Sequence, residues 1–278
     1  MQVQDTRIET ASVTCAAEPD IVIDAPSFQR NGIDIYVCPS CGTYVSDCGY
    51  SSDQYDDSYY TIASTDTAEI EGRWGFRWRY VLDQLLELSP GTRTVLDVGA
   101  GNGLFTKIAG EEYGLDATGI EISAASVDFA RDVLGVELLV EDLADHDGTY
   151  DCVTAFSVIE HVSDPLGMLE QLAERVTPGG VLILATPNPK CIQRRIKGEK
   201  KWGMICPPHH LNIFSRRGLE DMVGTIGLHA ESWETISTSV KLVRRFDTPK
   251  HHLRRAIFHA FRAGHLGADQ LLIARKPI

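Results

Sequence analysis

Val95-Leu96-Asp97-Val98-Gly99-Ala100-Gly101-Asn102-Gly103 is the stretch on which the fold turns. An apolar run of strand composition, Thr94–Val98, meets three glycines spaced two apart, and a helical pattern starts at Gly103. Glycine permits positive φ and close approach of the backbone to a ligand. The turn lies where a first strand hands over to a first helix, outside the strand ends, which is where doubly wound sheets bind ligands. Eighteen residues after Gly103, Glu121 closes the next strand pattern, followed by Ile122. A carboxylate there can accept hydrogen bonds from both hydroxyls of a ribose. A tight strand-to-helix turn alone would account for the glycines, but it leaves the position of Glu121 unexplained.

The dinucleotide fingerprint is Gly-x-Gly-x-x-Gly. Here the spacing is Gly-x-Gly-x-Gly and Asp97 precedes it. A pyrophosphate disfavours a carboxylate at that point, whereas a sulfonium or ammonium tolerates one. The turn therefore argues against a nicotinamide-dinucleotide oxidoreductase and for a cationic nucleoside such as S-adenosyl-L-methionine.

Strand and helix patterns alternate outward from this turn. Residues 69–88 place Trp74, Trp78, Val81, Leu82, Leu85 and Leu88 at steps of three and four, an amphipathic helix ended by Ser89-Pro90-Gly91. Strands are expected over 117–120, 137–140, 150–156 and 181–185, with helices over 124–134 and 165–176 between them. This alternation implies βαβ units and a parallel sheet. A helix over 217–226, a strand over 230–236, a basic helix over 250–263 and a last strand over 270–274 follow. The expected organisation is a small module and connector over 1–66 and a main domain over 67–278, with an acceptor-side insert near 190–217.

Hydrophobic residues make up 43% of the 278-residue chain and charged residues 23%, which excludes wholesale disorder. No apolar run reaches the ~20 residues of a membrane span. The first fifteen residues lack the basic and apolar regions of a secretory signal, so the expected compartment is cytoplasmic. The net charge of −13 is unevenly spread: residues 1–90 carry −10, 91–189 carry −13 and 190–278 carry +10. The basic last third fits an anionic acceptor, a membrane surface or the acidic body of the chain itself. Nucleic acid is disfavoured, because the body is acidic and no aromatic-basic platform appears.

LDVGAGNG, GIEIS, EDL, FSVIEHVSDP and TPGGVLILATPN, in this order, resemble the successive motifs of class I S-adenosylmethionine-dependent methyltransferases. The subgroup most similar carries an N-terminal Cys-x-x-Cys module, a Tyr-Tyr connector and a late Pro-x-His-Leu segment. Cys38-Pro39-Ser40-Cys41, Tyr59-Tyr60 and Pro208-His209-His210-Leu211 correspond. The resemblance implies an α/β, doubly wound, Rossmann-like fold. Its sheet has seven mostly parallel strands with an antiparallel last strand, beside a small Cys-containing N-terminal module. It also implies that Asp97, Gly99, Gly101, Asn102, Gly103, Glu121 and Ile122 hold the cofactor. Asp142 and Leu143 would flank the adenine, with Phe156 in the pocket floor.

Methyl transfer is an in-line displacement, so alignment and desolvation supply much of the catalysis. A hydroxyl acceptor benefits from a base and a carboxylate does not. His161 follows the fourth strand and His210 matches the family histidine; each is either that base or a hydrogen-bonded brace for its loop. The bases Lys197, Lys200, Lys201, Arg216 and Arg217 would then hold an anionic acceptor. The expected activity is methylation of a hydroxyl or carboxylate on a small molecule, sugar, glycan or lipid-linked intermediate. The alternative is a catalytically inactive nucleoside-binding scaffold. Seven cysteines, an odd number, argue against a disulfide framework. Cys38 and Cys41 form a metal knuckle, to which Cys15 and Cys48 can add; Ser12 stands where a further ligand is wanted. Structural zinc, a metal-free degenerate module and redox chemistry all stay open at this cluster.

Overall fold

The computed structural model describes residues 12–48, 65–236 and 257–278. The Tyr59-Tyr60 connector and the first part of the basic stretch at 250–263 lie outside them; residues 257–263 are helical. The N-terminal region forms a hairpin of β1 (Val13–Cys15) and β2 (Glu18–Ile23), then β3 (Phe28–Arg30), β4 (Ile33–Val37) and β5 (Tyr44–Ser46). Helix α1 (Thr67–Leu88) opens on Asp66, whose carboxylate accepts from the amides of Ala68 and Glu69. Its stripe of Ile70, Val81, Leu82 and Leu85 is buried in one core with Phe105 and Ile108.

The main sheet contains β6 (Thr94–Val98), β7 (Asp116–Glu121), β8 (Leu139–Val140), β9 (Tyr150–Phe156) and β10 (Val176–Pro187), with β12 (His229–Ile236) and β13 (Asp269–Arg275). Its order is β12-β13-β10-β9-β6-β7-β8, and β13 runs antiparallel to both neighbours. This is the expected seven-stranded, mostly parallel sheet with an antiparallel last strand. Helices α2 (Leu104–Glu111), α3 (Ala124–Phe129), α4 (Pro165–Glu174), α5 (Ile192–Lys197) and α6 (Arg216–Thr225) complete it. Strand β6 pairs with β7 on one side and β9 on the other, so the order reverses there and a crevice opens at the strand ends.

Three boundaries differ from expectation. The helix after β7 closes with a wider turn, Ala130–Leu134, ended by Gly135 at φ +68°. The third strand keeps only Leu139 and Val140. Val176 leaves α4 to pair with Tyr150, and the sheet register then shifts before Val181, so the Thr177–Gly180 turn becomes an irregularity inside β10.

The N-terminal region does not stand apart from the main domain. The two-residue strand β11 (Asn212–Ile213) pairs with Tyr44 and Val45, placing part of the 190–217 insert in one sheet with β3, β4 and β5. Trp202, 1% exposed, packs in a cluster with Phe28, Ile35, Tyr44 and Ile213.

Asp97 shows why the glycine turn has its shape. In the parallel register Asp97 lies opposite Thr154 on one side and Gly119 on the other. The Thr154 hydroxyl donates to Oδ1 at 2.8 Å, and the Thr106 hydroxyl, from α2, donates to Oδ2 at 3.0 Å. A Cβ on Gly119 would come within 2.8 Å of Thr106 Oγ1 and 2.4 Å of Leu138 Cδ2, so glycine keeps the path to Asp97 open. Replacing Thr154 by Val leaves one buried carboxylate oxygen without its donor. Urea unfolding of Thr154→Val should show a loss of about 1–3 kcal/mol; wild-type stability in that variant would contradict this role.

Candidate functional site

A cleft of about 510 Å³ opens at the carboxyl ends of the parallel strands, within the size range of small-molecule sites. Gly99 and Gly101 form its lip, Glu121 and Ile122 one wall, Asp142 and Leu143 another, and Phe156 and His161 a third. Asp97, Asn102 and Gly103 do not line it. Asp97 is 2% exposed beneath the turn, Asn102 Oδ1 accepts from the Leu104 amide, and Gly103 backs onto Val136. These three shape the cradle, whereas Gly99 and Gly101 face its interior.

The cradle is built for close approach. Gly101, at φ +56°, has nothing within 4 Å of where a Cβ would stand. Its amide donates to Glu121 Oε2 at 2.8 Å, and the Ser123 amide donates to Oε1 at 2.9 Å. The Glu121 carboxylate is thereby oriented, and each oxygen retains a lone pair for a further donor. Glu141 also lines the cleft, its Oε2 2.8 Å from His146 Nδ1, while His146 Nε2 lies 2.9 Å from the Tyr150 hydroxyl. Asp142 Oδ1 accepts from the Ala144 amide at 2.9 Å. Three carboxylates thus face the cleft and no Lys or Arg does among the described residues. Ser157, also on the cleft, has φ +57°, a conformation costly for a residue with a Cβ and common at working sites.

His161 and His210 meet edge to face, ring centroids 4.7 Å apart. Only His161 lines the cleft; His210 stands against it. His161 Nδ1 donates to the His209 carbonyl at 2.9 Å and His210 Nδ1 to the Met204 carbonyl at 2.6 Å. A carbonyl oxygen only accepts, so the proton sits on Nδ1 and the lone pair on Nε2 in each neutral ring. Burial pushes His161 down to about 3 and His210 to about 4. Glu160 joins them: one of its carboxylate oxygens and the two ring nitrogens lie within 4.8 Å of one another. Its Oε2 accepts from the Thr186 hydroxyl at 2.9 Å, and burial raises its pKa to about 8. Burial likewise raises Asp97 to about 7.

Arg216 pairs with Glu220, and Arg217 with Asp221. Neither these two nor Lys197, Lys200 and Lys201 line the cleft, so the expected grip of these bases on an acceptor there does not appear. At the other expected cluster, Cys15, Cys38 and Cys41 come together with Glu18, and Cys48 is not among them. The hairpin explains the exchange. Asp47 bonds back to Asp34, so the residue before Cys48 already lies roughly 13 Å along β4 from the knuckle, at about 3.3 Å per residue. Thr106, Thr154, Gly119, His146 and Glu18 carry roles that the sequence reading did not assign. Only Glu18 had a signal, since Cys15-x-x-Glu18 repeats the spacing of Cys38-x-x-Cys41.

This cleft and fold define the class. The sequence matches the methyltransferase-domain family over residues 73–232, more than half of the chain, and the chain belongs to that family. It is 33% identical over 146 residues to a ubiquinone biosynthesis O-methyltransferase of Alkalilimnicola ehrlichii, covering 45% of this chain and 59% of that protein. To the enzyme of the same name from Vibrio parahaemolyticus it is 29% identical over 191 residues, 60% of this chain and 79% of that one. The chain thus spans about three fifths of the length of the first of these relatives and more of the second. Magnesium protoporphyrin IX methyltransferase from Synechocystis, solved with bound S-adenosylhomocysteine, shares the fold. Its TM-score is 0.52 at 19% identity, over 81% of this chain and 94% of that one.

The buried acids set a pH dependence. A carboxyl with a raised pKa in the folded protein holds a proton that the unfolded chain releases earlier. Its contribution is complete below the unfolded pKa and is lost as pH rises through the folded value. His161 and His210 titrate at about pH 6.5 in the unfolded chain and are neutral in the folded protein above about pH 5. Their slope is the same in wild type and variant and has faded above about pH 7.5, leaving Glu160 to set the difference between about pH 7.5 and 9. The melting temperature of Glu160→Gln should therefore fall less steeply than that of wild type across this window. Parallel curves would contradict a protonated Glu160.

Proposed function

We propose that the chain binds S-adenosyl-L-methionine in this cleft and transfers its methyl group to a hydroxyl of a small organic acceptor. The observation that carries the reading is the pre-oriented Glu121 carboxylate beside an open Gly101 in a cleft whose charged lining is acidic. Such a cleft suits a cationic sulfonium nucleoside and repels a pyrophosphate. Glu121 would hold the ribose hydroxyls, Gly99 and Gly101 would admit the backbone-side edge of the ligand, and Asp142 and Leu143 would flank the base. The bound cofactor supplies an activated methyl on a good leaving group. The protein's part is to align the acceptor and exclude water.

Two observations favour a hydroxyl acceptor. Glu121, Glu141 and Asp142 make a carboxylate costlier to bring in than a neutral hydroxyl. The curated relatives are named O-methyltransferases. We assign His161, which lines the cleft, to receive the hydroxyl's hydrogen bond. Its low pKa means that it holds a proton weakly, so it orients the attacking oxygen more than it stores charge. His210 acts through His161 as a positioning residue.

Calorimetry should show S-adenosylhomocysteine binding and no NAD binding. With labelled methyl donor and a panel of phenols, alcohols and carboxylates, label should appear on hydroxyl oxygen. His161→Ala should keep cofactor affinity and lose turnover by roughly 100-fold, the low end for a group of this kind; His210→Ala should lose less. Label confined to carboxylates, or wild-type turnover in both variants, would overturn the assignment.

A further inference from the structure

Two tight turns face each other at the base of the N-terminal sheet. Cys15 ends β1 and Glu18 begins β2, across a hairpin turn. Cys38 and Cys41 bracket a knuckle closed by the Gly42 amide on the Cys38 carbonyl at 2.9 Å, with Gly42 at φ +82°. Each turn therefore presents two side chains at i and i+3. Their four ligand atoms lie within 4.8 Å of one another. Cys15 Sγ and Cys41 Sγ are 3.6 Å apart, and Cys38 Sγ is 3.4 Å from Glu18 Oε2. The edges of a zinc tetrahedron follow from its bond lengths of about 2.3 Å to sulfur and about 2.0 Å to oxygen. They are ~3.8 Å between sulfurs and ~3.5 Å from sulfur to oxygen. The Cys15–Cys41 and Cys38–Glu18 edges match these values, and the other four are no longer than 4.8 Å. All three thiols are buried, at 1%, 2% and 8% exposure.

The geometry points to a tetrahedral site for one zinc-class divalent ion, held by the thiolates of Cys15, Cys38 and Cys41 and by the Glu18 carboxylate. Binding replaces the thiol protons, which pass to solvent. The fourth ligand is therefore a carboxylate rather than Cys48, and the second half of the ligand set is Cys-x-x-Glu.

The placement says what the ion does. Ser40 Oγ donates to the other Glu18 oxygen at 2.8 Å, and Arg217 Nη1 donates to the Ser40 carbonyl at 3.2 Å. The Ser215 amide donates to Thr43 Oγ1 at 3.3 Å, and a Cβ on Gly218 would sit 2.5 Å from the same oxygen. The start of α6 is thus seated on the knuckle. From there β5 runs to Ser46, whose amide donates to the Leu211 carbonyl and whose hydroxyl donates to the His210 carbonyl. The ion fastens hairpin and knuckle together and so steadies the sheet that carries the His210 segment.

The full chain, loaded with zinc chloride under reducing conditions and desalted, should contain one zinc per chain by elemental analysis. Cys15→Ser and Cys38→Ser should lose it and Cys48→Ser should keep it. Glu18→Cys guards against variants that only unfold. In cobalt-loaded protein its sulfur-to-cobalt charge-transfer intensity should rise by about a third, as three thiolates become four. No zinc in the loaded wild type, zinc kept in Cys15→Ser, zinc lost in Cys48→Ser, or an unchanged cobalt spectrum in Glu18→Cys would each overturn the site.

Discussion

The carboxylate of Asp97, sealed at the end of β6 between the hydroxyls of Thr106 and Thr154, is the constraint on which the site depends. One hydroxyl comes from the neighbouring strand and the other from the helix beyond the glycine turn. The pair of bonds therefore pins strand, turn and helix to one another. A buried carboxylate so held is costly to leave unsatisfied, which makes the arrangement all-or-none. The Gly99 and Ala100 amides then bond to the Ile120 carbonyl, and the Gly101 amide reaches Glu121. The Glu121 wall of the cleft is in this way set by a residue that never reaches the cleft.

The acidic lining and His161 occupy different parts of the cleft. Glu121, Glu141 and Asp142 set a negative field along one part of the cleft, the field that the proposed sulfonium nucleoside would meet. His161, Glu160 and His210 form a cluster in which Glu160 is buried and both rings are half-buried, with the ring protons set by carbonyls of the 204–209 segment. That segment leads into β11 and so into the N-terminal sheet. The histidine part of the cleft thereby depends on residues far away in the chain, while the Glu121 part is local to β6, β7 and β8.

This division explains what could be read in the sequence. The glycine turn, Glu121, Asp142 and the strand-helix alternation are local patterns, and each has a direct signature in spacing or periodicity. The two threonines on Asp97 have none, because their roles come from parallel register between strands 57 residues apart in one case and from helix placement in the other. Cys48 was misleading for a related reason: proximity in sequence to the knuckle is undone by the antiparallel return of β5, which carries it away. Glu18 was legible in principle, as the i and i+3 partner of Cys15. The basic last third drew attention to an acceptor grip, but Arg194, Arg216 and Arg217 find partners close by instead.

The central claim is that Glu121 reads a ribose in this cleft. Its most direct test is the affinity of wild type and Glu121→Gln for S-adenosylhomocysteine and for the 2′-deoxy form of that ligand. Wild type should prefer the ribose form by about 10- to 100-fold, the worth of a hydrogen bond to a charged group. Glu121→Gln should lose most of that preference. Equal affinity of the wild type for both ligands, or an undiminished preference in the variant, would contradict the account.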